Sequence, residues 1–266
     1  AELPAVFRSI QIAPVWRAER PQKGRYRQFV QCDIDIIGEA GPLAELELLS
    51  STTDALTALG IQDWSFRVND RRILHSLLRY WQVDPDSSER VLIALDKEDK
   101  IGVQGVVDEL AALGVGDAGL IAEVLLGGQL TGLADDGWSL LSGDEAPAWL
   151  DQGVYRELLD FRAALPGARV VFSPILVRGM GYYTGMIFEI AHPSSTSSLG
   201  GGGRYDGMIG RFLGTEVPAT GFSIGFERIL DLVSLPEPDE ADAVALIHDK
   251  DGAPETLLAL KSARLA

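Results

Sequence analysis

A chain of 266 residues, 46% hydrophobic and 23% charged, can bury a substantial core, and its length suggests one or two domains. Its formal net charge of -16 argues against generic nucleic-acid binding, and no apolar run approaches the roughly 18 residues of a membrane-spanning helix. The single cysteine, Cys32, excludes a disulfide framework, and with only His75, His192 and His248 beside it a cysteine-based zinc site is excluded as well.

The first residues, AELPAVFRSI, lack the basic region and apolar core of a signal peptide, so a reducing cytoplasm is the expected location. The chain opens without Met and almost at once on a strand, which reads as part of something longer. Residues 1–38 carry six cations against four acids, although the whole chain is acidic. FRSIQIAPVWRAE and FVQCDIDIIGE read as two antiparallel strands, joined by the basic loop ERPQKGRYR with Pro and Gly as turn punctuation. Strand alternation sorts the side chains: Val30, Cys32, Ile34 and Ile36 form a core face, and Phe29, Gln31, Asp33 and Asp35 form the other. In the first strand Ile10, Ile12, Pro14 and Trp16 share one side, which leaves Arg17 on the other, ahead of Glu19. If the polar faces of the two strands coincide, an Arg, an aromatic, an amide and two carboxylates meet in one cleft. The same pattern also fits a plain exposed sheet face, and alternation alone does not decide.

The middle of the chain changes texture. Residues 84–151 carry fifteen acids against three cations and read as helices separated by Gly and Asp, an inserted helical module. The acidic run DKED at 96–99 lacks the loop glycine of an EF-hand and reads as a solvated helical face. Next, AWLDQGVYRELLDFRAALPG has helical periodicity with a Gly stop, followed by β-type sequence, ARVVFSPILVRGMGYYTGMIFEIAHP. Within it RGMGYYTG interrupts a strand with glycines and brings Arg178 close to Tyr182 and Tyr183. SLGGGGRYDG is neither a phosphate loop nor a dinucleotide fingerprint and reads locally as a flexible turn. TGFSIGFERILDLV reads as a strand entering a helix that carries Arg228.

Together these stretches resemble a known family. FRSIQIAPVWRAERPQKGRYRQFVQCDID resembles motif 2 of the class II aminoacyl-tRNA synthetases in the form typical of histidyl-tRNA synthetase. LVRGMGYYTGMIFE is similar to that family's histidine signature, GGGGRYDG to its glycine-rich substrate loop and GFSIGFERIL to its motif 3. The four occur in the family's order, over roughly residues 6–38 and 170–233.

The resemblance implies an α+β fold with a mainly antiparallel six- or seven-stranded sheet flanked by helices. It implies catalytic core at 1–68 and 151–236, a helical insertion at 69–150, and the start of an anticodon-binding α/β domain at 237–266. It also implies a two-step reaction, in which histidine and ATP form histidyl-adenylate and the acyl group passes to tRNA(His), with magnesium accompanying ATP and no metal held by protein side chains. Arg17 would hold the α-phosphate and Arg178 would be the second catalytic cation. Glu19 would lie beside the adenine, between Phe29 on one face and Arg228 on the other. Gln31, Asp35, Arg178, Tyr182, Tyr183 and Tyr205 would bind histidine, with Asp35 and Tyr183 reading the imidazole. The loop cations Arg20, Lys23, Arg25 and Arg27 would meet the tRNA acceptor end. A homodimer without membrane attachment is implied too.

The chain departs from the family's common RGLDYY at Gly181. Motif 1 and the upstream acidic stretch that holds the α-amino group have no counterpart before residue 6. A rival is the synthetase-like regulatory subunit of ATP phosphoribosyltransferase, which binds histidine without charging tRNA and tends to lose catalytic residues. Arg17, Arg178, Tyr182, Tyr183, Arg228 and the basic loop favour the enzyme.

Overall fold

The computed structural model describes residues 4–18, 26–127, 137–139, 146–179, 181–195 and 197–233. Among them are seven strands: β1 (Phe7–Trp16), β2 (Gln28–Ile37), β3 (Ser65–Asp70), β4 (Val170–Phe172), β5 (Met186–Ala191), β6 (Gly200–Arg204) and β7 (Ala219–Gly225). They form one sheet in the order β1-β2-β7-β6-β5-β3-β4, in which only the β3–β4 pair is parallel. This is the expected mainly antiparallel seven-stranded sheet.

Eight helices accompany it: α1 (Leu43–Ala58), α2 (Arg71–Tyr80), α3 (Ser88–Leu95), α4 (Glu98–Leu113), α5 (Ala118–Leu126), α6 (Gln152–Ala163), α7 (Asp206–Leu213) and α8 (Phe226–Leu230). Three of them start where an aspartate precedes the apolar pattern. Asp70, Asp117 and Asp151 each accept a hydrogen bond from a backbone N–H of the first turn, at Arg72, Leu120 and Val154. Helix α4 stops at Gly114, which takes the left-handed conformation (φ 63°) that closes a helix at little cost only for glycine.

Period-two alternation divides the sheet into two faces. Ile34, Phe222, Gly202, Phe188 and Val68 lie in register on one of them. There the Phe188 and Phe222 rings stack with centroids 5.4 Å apart, and Leu48, Leu49 and Leu56 of α1 join the same buried core. The opposite face carries the polar residues described below.

Two expectations are corrected. GGGG is not a turn; it is the central strand β6, paired with β5 and β7 along its length. The glycines let the backbones close up, because a Cβ at Gly202 would collide with the carbonyl oxygen of Gly221. The described residues of RGMGYYTG, 178–179 and 181–185, do not interrupt a strand either, but precede β5 outside any strand. The core face also thins toward the sheet's edge: Ile36 is buried, but Ile10, Ile12 and Trp16 of β1 are 71%, 65% and 71% exposed. Helix α1 packs over β2 and β7 and reaches β1 near its start, where Arg8 donates to both carboxylate oxygens of Glu47.

Candidate active site

The registers answer the question that alternation left open. Val15 pairs with Phe29, Ala13 with Gln31, Gln11 with Asp33 and Ser9 with Asp35, so the polar faces of the first two strands coincide. The row continues across the sheet: Asp33 faces Ser223, Ser223 faces Gly201, Gly201 faces Glu189 and Glu189 faces Arg67. A neighbouring row runs Asp35, Gly221, Gly203, Ile187 and Asn69. Glycine in the middle of both rows removes the side chains that would fill the centre of this face.

Arginine and tyrosine side chains from loops occupy that space. The guanidinium of Arg178 lies across Gly201, where any Cβ would collide with it. Its Nη1 donates to Glu189 Oε2 at 2.6 Å and to Ser198 Oγ at 3.1 Å. Tyr183 lies over Gly203 and Gly179, and its ring is 4.3 Å from that of Tyr182. Gly179 and Gly181 both have positive φ, 53° and 90°. At Gly181, where the family commonly has an acid, the backbone takes a form that strains other residues, in open space.

One cleft of about 1050 Å³ is lined by Arg17, Phe29, Gln31, Arg178, Tyr182, Tyr183 and Arg228, seven of the residues expected from sequence. The guanidinium carbon of Arg17 stands 3.9 Å over the centre of the Phe29 ring, so the expected phosphate cation and base platform touch each other. Gln31 donates to Ser223 Oγ, and Arg228 donates to the carbonyl of Ser198. Asp35 and Tyr205 sit at the neighbouring glycine row, where the Tyr205 hydroxyl donates to Asp35. Burial pushes the Asp35 carboxyl above the ordinary carboxylate range, against the opposing pull of the Tyr205 hydrogen bond. Burial also pushes the Tyr183 and Tyr205 hydroxyls well up, which keeps both as neutral donors. Of the expected loop cations, Arg27 is described and exposed, and its carbonyl accepts from Arg17 N–H at 2.8 Å. Glu19, Arg20, Lys23 and Arg25 lie outside the described residues.

The chain from residue 2 to residue 229 matches the family model described as histidyl-tRNA synthetase. The chain belongs to the histidyl-tRNA synthetase family. A histidine–tRNA ligase of Leifsonia xyli subsp. xyli is 57% identical over 98% of this chain and 62% of its own length. The histidine–tRNA ligase of Aeropyrum pernix is 40% identical over 86% of the chain and 52% of its own length. The chain thus spans between half and two thirds of these curated relatives. Among solved structures, the histidyl-tRNA synthetase of Nostoc sp. PCC 7120 superposes with a TM-score of 0.70 at 26% identity, over 85% of this chain and 53% of that one. A Bacillus halodurans C protein described as an ATP phosphoribosyltransferase regulatory subunit/histidyl-tRNA synthetase superposes at 0.67 with 20% identity, over 86% of this chain and 59% of that one, a likeness of fold.

Several residues of this synthetase-family cleft were missed from sequence: Arg67, Glu189, Ser198, Ser223 and Glu227. Glu227 Oε1 accepts from Val30 N–H at 2.8 Å and ties β2 to the start of α8. A signal for Glu189 was present, since MIFEIA places one acid in an otherwise apolar central strand. The DKED run also differs from a plain solvated face. It spans the junction of α3 and α4, and Asp96, Glu98 and Asp99 border the cleft.

Proposed function

We propose that the protein is a histidine–tRNA ligase, which activates histidine with ATP to histidyl-adenylate and transfers the acyl group to tRNA(His). One observation carries this reading: two arginines from different loops, Arg17 and Arg178, line a single cleft with Phe29, Gln31 and the Tyr182–Tyr183 pair. Attack of the histidine carboxylate on the α-phosphorus brings two anions together and spreads charge over phosphoryl oxygens, with pyrophosphate leaving. Fixed guanidinium groups lower that barrier by charge stabilisation and by positioning. Phe29 and Arg228 are assigned to the adenine and Gln31 to the amino acid. Asp35, Tyr183 and Tyr205 are assigned to the imidazole, for which Asp35 supplies a charge-assisted acceptor. Glu19 beside the adenine and the loop cations Arg20, Lys23, Arg25 and Arg27 at the tRNA acceptor end complete the proposal.

Magnesium would enter with the nucleotide. Among the described residues no group of three or more His, Cys, Asp or Glu side chains converges to hold a metal. The same reading takes residues 69–150 as the helical insertion, residues 237–266 as the start of an anticodon-binding domain, and a second copy as partner. The uncovered apolar residues of β1 supply surface for such a partner. Among the described residues no helix is long and apolar enough to cross a membrane, and a cytoplasmic location is part of the proposal.

The test is histidine-dependent exchange of pyrophosphate into ATP by the full-length polypeptide. Exchange with histidine and with no other amino acid is expected; histidine binding without exchange would favour the regulatory-subunit reading. Gly201→Ala sharpens it. The three atoms nearest the new methyl all belong to the flexible guanidinium end of Arg178, so the chain should still fold, with a urea midpoint lowered by the weakened Arg178–Glu189 pair. The displaced guanidinium should nevertheless lower exchange by up to about 100-fold, the scale of a 1 Å misplacement. An active Gly201→Ala protein would show that Arg178 does not work from where it lies.

A further inference from the structure

We propose that Glu189 is the positioning residue for Arg178, and that Arg67 and Asp99 make its hold depend on the seating of the first turn of α4. The inference rests on the adenylate-forming reading above. Arg178 belongs to the loop between β4 and β5, so no strand fixes its backbone. Its guanidinium must therefore be placed by what it touches. Glu189 is carried by β5, its side chain is 9% exposed, and both its oxygens are used. Oε2 accepts from Arg178 Nη1 at 2.6 Å, and Oε1 accepts from Arg67 Nη1 at 3.1 Å. An enclosed carboxylate is costly unless it is paired, and a carboxylate paired on both oxygens has little freedom to move. Its position is thus passed on to Arg178.

Arg67 is the residue directly opposite Glu189 on β3, and its Nη2 donates to Ser173 Oγ at 3.1 Å. The nitrogen that bonds Glu189 also lies 3.5 Å from Asp99 Oδ1, in the first turn of α4. Gly102 (φ 70°, ψ 168°) breaks the helix just after that turn and sets the turn apart from the rest of α4. Four groups therefore form an alternating chain, Arg178, Glu189, Arg67 and Asp99, from the cleft floor to the acidic helical segment. Asp99 and Glu189 share Arg67. When Asp99 holds part of that charge, Glu189 is left to Arg178; when it does not, Arg67 draws Glu189 toward itself.

The test measures exchange kinetics and urea midpoints of variants in the full-length polypeptide. Glu189→Gln should lower kcat by about 100-fold, a misplacement effect, with KM for histidine and for ATP within about threefold. Glu189→Asp, which keeps the charge, should recover about tenfold of that loss. Should Glu189→Gln fail to fold, Asp99→Lys carries the test, because Asp99 is 61% exposed and the change is tolerated by the surface. It should lower kcat two- to fivefold, roughly the worth of an exposed ion pair, leave both KM values unchanged, lose its effect at high salt, and add nothing to Arg67→Gln. A folded Glu189→Gln protein with normal kcat, an Asp99→Lys protein with normal kcat at low salt, or losses confined to KM would each overturn the inference. Absence of exchange in the unmodified protein would instead reject the adenylate-forming reading, and this inference with it.

Discussion

Replacing Arg204 by methionine is expected to destabilise the fold by about 3–5 kcal/mol, the usual cost of orphaning one member of a buried ion pair. The Arg204 and Glu45 side chains are 12% and 3% exposed. Arg204 Nε and Nη2 each donate to one oxygen of Glu45 at 2.6 Å, a bidentate pair. The remaining donors reach the carbonyls of Glu39 and Gly41, at 3.1 and 2.8 Å, and Asp206 at 3.2 Å. One side chain thus ties the end of β6 to the start of α1 and to the turn before it. In Arg204→Met the Glu45 carboxylate stays buried without its partner, which is where the cost arises. The double variant Arg204→Met/Glu45→Leu removes both charges and should recover most of the loss, since apolar replacements of buried pairs are often neutral. Urea midpoints of the singles and the double decide it. Additive losses in the double would show that the two groups act independently.

The same arginine shows where sequence reading stops. In GGGGRYDG it looks like part of a substrate loop, yet its side chain serves the fold, while its immediate neighbours Gly203 and Tyr205 lie with Asp35 on the polar face. What was legible followed from local rules. Period-two alternation sorted Phe29, Gln31, Asp33 and Asp35 from Val30, Cys32, Ile34 and Ile36, and the β1–β2 register upheld that division. Helical periodicity with a Gly stop in AWLDQGVYRELLDFRAALPG and the helical texture of residues 84–151 correspond to α6 and to α3, α4 and α5. Resemblance then grouped four stretches far apart in the chain, and the sheet brings seven of the expected side chains to one cleft.

What was not legible depends on pairing over long separations. Nothing local in SLGGGGRYDG says that β5 and β7 will lie on either side of it, so the glycines read as slack and not as clearance for Arg178, Tyr183 and the β7 backbone. Arg67 and Glu189 each look like an ordinary charge in a strand. They become a pair only because β3 and β5 align in one register, 122 residues apart in the chain. The exposure of Ile10, Ile12 and Trp16 has the same origin: apolar alternation shows which face they share, but not whether a helix packs over them.

Asp35→Asn should separate binding from stability in opposite directions. On the proposed assignment the Asp35 carboxylate accepts an imidazole N–H, and a charged hydrogen bond of this kind is worth about 1.5–3 kcal/mol, or roughly 10- to 150-fold in affinity. The asparagine variant should lose that much histidine affinity and keep its ATP affinity. Its fold should not suffer, because the remaining side-chain oxygen still accepts from Tyr205. The pH dependence follows from the raised Asp35 value. Desolvation favours the protonated form in the folded state, so unfolded chains give up this proton first as pH rises. The stability that Asp35 contributes is therefore complete below the ordinary carboxylate value near pH 4 and is lost as pH climbs through the raised folded value. Above that value the variant should be at least as stable as the parent, with the difference vanishing in acid. Histidine binding runs the other way: the affinity ratio of parent to variant should be greatest at neutral pH and shrink as pH falls through the folded Asp35 value. Calorimetric titrations with histidine and with ATP, paired with urea midpoints across the same pH range, measure both. Histidine affinity within threefold of the parent, or equal losses for histidine and ATP, would remove Asp35 from the imidazole and leave it only as the partner of Tyr205.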